Sequence, residues 1–314
     1  MYHDHDALDA EIHAYIARCE ALEPAQPPAG AEAQRAQYRR LCRAFAAPRP
    51  PGLAVADHGL DLGDRRIAVR IYRPPSSAPS FCLVFFHGGG WVVGDLDTHD
   101  SVVAELAVKA GVVAVAVDYR LAPEHPYPAA VDDGWAVIDW LGRDGAGHGL
   151  PAGRLAVAGD SAGGTIAAAL ALKARDRGHP PLAGQVLVYP ALGHDFSLPS
   201  YVERAEAPVL TSADMRAYWQ AYCGPPPSSD PYAVPLSASS YNGLCPSFIV
   251  ACEHDPLRDD AIAYAARLGD AGVPVQLRRE PGLIHGFLRA RHMSRIAMES
   301  FDAIAGAVRA FACP

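Results

Sequence analysis

The sequence predicts an α/β protein: a mostly parallel, eight-stranded sheet with helices on both faces and a helical cap. Three observations lead there. From about residue 54 short apolar runs alternate with helical stretches, and strand-then-helix repetition makes neighbouring strands parallel. Most of those runs are continuously apolar, as expected of strands covered on both faces. Two regions break the rhythm with helical segments of their own.

Taken in order, AVADHGLDL (54–62) and RRIAVRIYRP (65–74) read as an antiparallel opening pair turned at Gly63-Asp64. FCLVFF (81–86), VVAVAVDY (112–119), RLAVAG (154–159), GQVLVYP (184–190), SFIVACE (247–253) and PVQLRRE (274–280) supply the other six strands. Helices are expected near 99–110, 127–142, 162–177, 257–271 and 294–311. The first interruption covers residues 1–47, where Leu8, Ile12, Ile16 and Cys19 recur at helical spacing before the PAQPPAG linker and a second helical piece. The second separates two strands over 191–230, far beyond the ~2–6 residues of an ordinary αβ connection. It holds a helix over SADMRAYWQAYC, bounded by Pro208 and GPPPSSDP. The expected organisation is a cap from 1–50 and 191–230 over a catalytic domain from 51–190 and 231–314. A peripheral packing helix is the plainer alternative for the insertion.

The 314 residues, half of them hydrophobic, suffice for one large core. A net charge of −8 leaves no basic stripe, so nucleic acid is not an expected partner. Seven cysteines, an odd number without a CxxC, with Cys82 and Cys252 inside strand-like runs, read as reduced, packed thiols. The N-terminus is too polar for a secretory segment and no apolar run reaches membrane-spanning length, so a cytoplasmic protein is expected. His3-Asp4-His5-Asp6 offers metal-ligand types, but nothing preorganises them, and no metal is expected there.

FFHGGGWVVGD (85–95) follows the third strand with three consecutive glycines. No Gly-Lys-Ser/Thr closes it, which excludes a P-loop. Gly88, Gly90 and Gly94 are spaced one residue too widely for a dinucleotide fingerprint. VAGDSAGGTIAAALAL (157–172) gives the run its context: a short strand, Gly159-Asp160-Ser161-Ala162-Gly163, then an alanine-rich helix. This is G-x-S-x-G in the strand–turn–helix setting of a nucleophilic serine. Such a nucleophile needs an acid and then a histidine downstream in the chain. Asp255 ends one strand and His285 lies in the loop after the last, so both sit where open α/β sheets gather catalytic groups. Asp259 and Asp260 fall a turn into a helix, where first-turn charge explains them. Glu253 reads as a supporting group, His254 faces the other side of its strand, and no strand places His148, His179 or His194.

HGGGW (87–91), DYRLAPEHPYPAA (118–130), GDSAGG (159–164), DPLRDD (255–260) and IHGF (284–287) together resemble the bacterial hormone-sensitive-lipase family (family IV) of carboxylesterases, over nearly the whole chain. The resemblance implies an α/β-hydrolase fold, no cofactor, and hydrolysis of short- to medium-chain carboxylic esters. It assigns Ser161 as nucleophile, Asp255 as acid and His285 as base, with the N–H groups of Gly88, Gly89 and Ala162 as oxyanion donors. Glu124 resembles a structural carboxylate of that family, and Asp160 marks its GDSAG branch. Dimerisation through the last strand's edge is a further implication. Trp91, Leu210, Ile284 and Phe287 are candidates for the acyl or alcohol pocket, with plain core as the alternative for each. A non-catalytic binding protein, as in the plant gibberellin receptor, would resemble the same family but lack the histidine that His285 supplies here. Amides, lactones or thioesters would use the same triad.

Overall fold

A computed structural model describes residues 8–26, 28–75, 81–151, 153–225 and 228–313. The His3-Asp4-His5-Asp6 segment lies outside the described residues. The sheet contains β1 (Ala54–Asp61), β2 (Arg66–Arg73), β3 (Cys82–Phe86), β4 (Val113–Asp118), β5 (Leu155–Asp160), β6 (Gly184–Val188), β7 (Ser247–His254) and β8 (Val275–Ile284). Their order is β1-β2-β4-β3-β5-β6-β7-β8. β2 pairs antiparallel with both β1 and β4, and every pairing from β4 across to β8 is parallel. The sequence expectation of a mostly parallel eight-stranded sheet therefore holds. β8 runs past Glu280 through Pro281 and Gly282 to Ile284, with a register shift opposite Cys252–His254. A Pro-Gly pair normally ends a strand, but as the last strand of the sheet β8 has a neighbour on one side only.

The continuous apolar runs follow from burial on both faces. In β3, Val84 and Phe86 pack on one side with α4 (Ala129–Asp144), α5 (Ala162–Asp176) and α8 (Arg258–Asp270). Leu83 and Phe85 pack on the other with α3 (Asp100–Ala110) and α9 (Arg295–Ala312). The N-terminal helix α1 (Ala10–Glu20) adds Ile12, Tyr15 and Cys19 to that second layer, so it is core as much as cover. α2 (Ala31–Ala44) is tied to the glycine loop by Arg35, which donates to Val92 O at 2.9 Å and to both carboxylate oxygens of Glu124.

Within the insertion lie the short α6 (Pro199–Glu203) and α7 (Ser212–Cys223). α7 starts at a capping box between Thr211 and Asp214 and ends at Gly224, whose φ of 65° and ψ of 176° suit a residue without a Cβ. Its Met215, Trp219 and Tyr222, at i, i+4 and i+7, are buried. All seven cysteines carry free thiols. Among the described residues no helix is long and apolar enough to cross a membrane.

Candidate active site

Ser161 stands between β5 and α5 at φ 55°, ψ −122°. That conformation costs a non-glycine residue on the order of 1–3 kcal/mol and persists only where the surroundings enforce it. Here the Ser161 N–H is held by Val188 O of β6 at 2.9 Å. The flanks must also be bare: a Cβ on Gly163 would run into the Phe86 carbonyl, and one on Gly159 into Gly163. The G-x-S-x-G pattern is thus a packing requirement of strand against helix.

Asp255 follows β7 and His285 follows β8. His285 Nε2 lies 3.0 Å from Ser161 Oγ, and its Nδ1 lies 2.8 Å from Asp255 Oδ2. The Leu257 N–H donates to the other Asp255 oxygen at 2.8 Å. With a carboxylate facing Nδ1, the ring carries its proton there and turns the Nε2 lone pair to the serine hydroxyl. All three residues are buried, and the Tyr189 ring backs the imidazole at 4.6 Å between centroids. The competing groups are engaged elsewhere. Glu253 pairs with Arg258 and Arg279; Asp259 with Arg258 and the Ser200 N–H; Asp260 with the Leu192 and Gly193 N–H groups. His148 packs on Trp140, His179 bonds the Pro180 carbonyl, and His194 bonds the Ser228 carbonyl.

The glycine loop departs from expectation by one residue. The Gly88 N–H donates to Asp160 Oδ1 at 2.9 Å and so is not available to a ligand. Gly89 and Gly90 line the cavity above Ser161, both at positive φ. Among the described residues the N–H groups of Gly89, Gly90 and Ala162 have no hydrogen-bond partner. Of the three N–H groups that the resemblance named, that of Gly88 is thus already engaged, while those of Gly89 and Ala162 are unspent, as is that of Gly90. A Cβ on Gly90 would strike the Tyr218 ring.

Asp160 holds this loop from beneath. Its oxygens also face His99 Nε2 at 3.2–3.3 Å and the Tyr189 hydroxyl at 3.4 Å. Burial alone would raise its carboxyl; His99, Arg289 and the Gly88 N–H outweigh burial and hold it below the ordinary carboxylate range. His87 beside it is pushed down to about 4 by burial and by the neighbouring His99. It is therefore a neutral ring at physiological pH, and the Tyr119 ring stacks on it at 4.3 Å.

The cavity holds about 130 Å³. Tyr38 and Leu41 of α2, Met215 and Tyr218 of α7, and Val209, Leu210 and Arg289 complete its wall. Both regions that interrupt the α/β rhythm thus reach the site. Of the four pocket candidates, Leu210 lines this cavity and the other three belong to the core. Trp91 is 1% exposed and stacks on Tyr222 at 4.3 Å, with Trp219 at 4.6 Å. It fastens the glycine loop to α7. Ile284 and Phe287 are fully buried, Phe287 edge-on to Tyr189. Sequence reasoning missed Tyr38, Tyr218, Tyr189 and Arg289; only the IHGFLR context, four residues from His285, hinted at the last.

A profile described as alpha/beta hydrolase fold matches residues 83–289. The esterase LipI of Mycobacterium tuberculosis is 46% identical over 264 residues, 82% of each chain. The carboxylesterase NlhH of the same species is 48% identical over 227 residues, 71% of each chain. The solved structure of a hyperthermophilic esterase from the archaeon Pyrobaculum calidifontis superimposes with a TM-score of 0.89 at 33% identity, covering 97% of this chain and 98% of that one. The chain belongs to the alpha/beta hydrolase family. Within it, the chain falls in the hormone-sensitive-lipase-like branch, family IV.

Proposed function

We propose that this carboxylic ester hydrolase works through an acyl-enzyme on Ser161, and that its substrates are esters of short acyl chains. The observation that carries the reading is the His285 ring, 3.0 Å from Ser161 Oγ and 2.8 Å from Asp255. His285 Nε2 takes the hydroxyl proton as Ser161 Oγ bonds to the ester carbonyl carbon. Asp255 keeps the imidazole oriented and stabilises the imidazolium. The carbonyl oxygen becomes an oxyanion facing the unspent N–H groups of Gly89, Gly90 and Ala162. Each such donor is typically worth about 3 kcal/mol in the transition state. Collapse expels the alcohol, which leaves with the proton from His285. Water, deprotonated by the same ring, then releases the acid and restores the serine.

A preference for short chains is supported by the cavity. Its volume of about 130 Å³ is well below the ~300–1,000 Å³ of sites for drug-sized ligands. The named relatives favour esters over the amides, lactones and thioesters that the same triad serves, and favour an enzyme over a binding protein. We further propose a cytoplasmic enzyme that pairs through the edge of β8, the terminal strand of the sheet. A panel of p-nitrophenyl esters tests the chain-length reading: acetate and butyrate should give specificity constants at least about tenfold above the palmitate. Faster turnover of the long-chain emulsion would overturn it.

A further inference from the structure

Arg289 lies on the turn just after His285 and forms part of the wall of the catalytic cavity. Its Nε donates to the Tyr15 hydroxyl at 3.1 Å and one terminal nitrogen donates to the Tyr38 hydroxyl at 3.2 Å. Its guanidinium carbon stands 5.6 Å from the Tyr38 ring centroid. Among the described residues the other terminal nitrogen has no acceptor, and no carboxylate lies within ion-pair distance of the group. The fold treats other covered arginines differently. Arg70 faces Asp57, Asp97 and Asp100; Arg258 faces Glu203, Glu253 and Asp259; Arg291 faces Glu105.

A part-buried guanidinium with no carboxylate in hydrogen-bond reach leaves strong donors open to an anion. Burial raises both phenols that touch it, so Tyr15 and Tyr38 stay neutral and supply no compensating charge. Asp160, the one acidic residue on the cavity wall, attracts Arg289 through space, but its oxygens are spent on Gly88, His99 and Tyr189 and accept no hydrogen bond from the guanidinium. What remains is a fixed positive fork with unspent N–H donors, in the same small cavity as the Ser161 hydroxyl. Such a fork matches a carboxylate in charge and geometry.

We propose that Arg289 is an anion subsite of this cavity, and that the preferred substrate is an ester carrying a carboxylate, such as the monoester of a short dicarboxylic acid. The proposal rests on Ser161 being the nucleophile. It makes Arg289 a specificity residue whose Tyr15 and Tyr38 contacts serve to aim it.

The test compares monoethyl succinate with diethyl succinate. The intact enzyme should favour the anionic monoester. Arg289→Gln should lower the ratio of the two specificity constants at least about tenfold, mainly through KM of the monoester. Arg289→Lys, which keeps the charge, should leave a ratio above that of the glutamine variant. If Arg289 only braces the N-terminal helices, the substitutions change both substrates in parallel; an unchanged ratio overturns the proposal. Calorimetric binding of the monoester to Ser161→Ala separates this proposal from the catalytic reading, because it needs no turnover. Binding there that is lost in Ser161→Ala/Arg289→Gln supports the subsite whether or not Ser161 is the nucleophile. Equal binding by the two variants, or no binding by either, counts against it.

Discussion

The Gly88 N–H and Asp160 Oδ1 are 2.9 Å apart, and this bond fixes which glycines face the substrate. Asp160 precedes the candidate nucleophile in sequence and grips the loop that carries the candidate oxyanion donors. One side chain therefore sets the distance between the two halves of the site. Asp160→Ala should strand the buried Gly88 N–H, at a cost of about 1–3 kcal/mol of stability. Displacement of the loop should also lower kcat at least about tenfold, with a smaller change in KM. Asp160→Asn keeps an acceptor for Gly88 and should recover much of the loss. Steady-state kinetics and urea denaturation of the two variants check this; equal damage in both would remove the acceptor from the explanation.

Trp91 is expected to behave as a structural fastener. Trp91→Ala empties the space between Tyr222 and Trp219 and should destabilise the protein by about 3–5 kcal/mol, as large-to-small core substitutions of aromatics do. Limited proteolysis should find α7 more open to cleavage. A variant of unchanged stability with an altered acyl-chain preference would return Trp91 to the pocket.

Asp260 predicts an unusual pH dependence. Burial pushes its carboxyl up to about 7, more than the Leu192 and Gly193 N–H bonds lower it. The folded protein therefore holds a proton that the unfolded chain releases near pH ~4. Between about pH 4 and about pH 7 the folded state binds more protons, so this residue's contribution to stability falls as pH rises. It is most favourable below the unfolded value and fully lost above the folded one. Measured against Asp260→Asn, the wild type should lose stability progressively across that window in denaturation curves. Parallel pH profiles, or a trend in the opposite sense, would contradict the assignment.

Much of this was legible in the chain. Each of the eight strands overlaps its predicted run. In β3, β4, β5, β6 and most of β7 burial on both faces leaves few polar positions to blur the pattern, while the edge strands β1 and β8 keep polar, exposed ones. G-x-S-x-G was legible for a related reason, since its glycines answer to the packing of β5 against α5. The register within HGGG was not, because three identical residues carry no mark of which N–H is spent on a side chain 72 positions away. Nor could the sequence separate Leu210 from Trp91, Ile284 and Phe287, as all four are apolar and only packing decides which meets the cavity. Tyr38 and Arg289 come from segments 251 positions apart, and no local pattern announces their meeting.

The central claim is that Ser161 is the acylated nucleophile. A fluorophosphonate should modify the protein stoichiometrically, and peptide mapping by mass spectrometry should place the adduct on the peptide containing Ser161. Ester turnover should fall in step with labelling, and Ser161→Ala should remain unlabelled with turnover reduced by at least about three orders of magnitude. An adduct on another residue, or a Ser161→Ala protein that still forms one and turns over ester, would contradict the account.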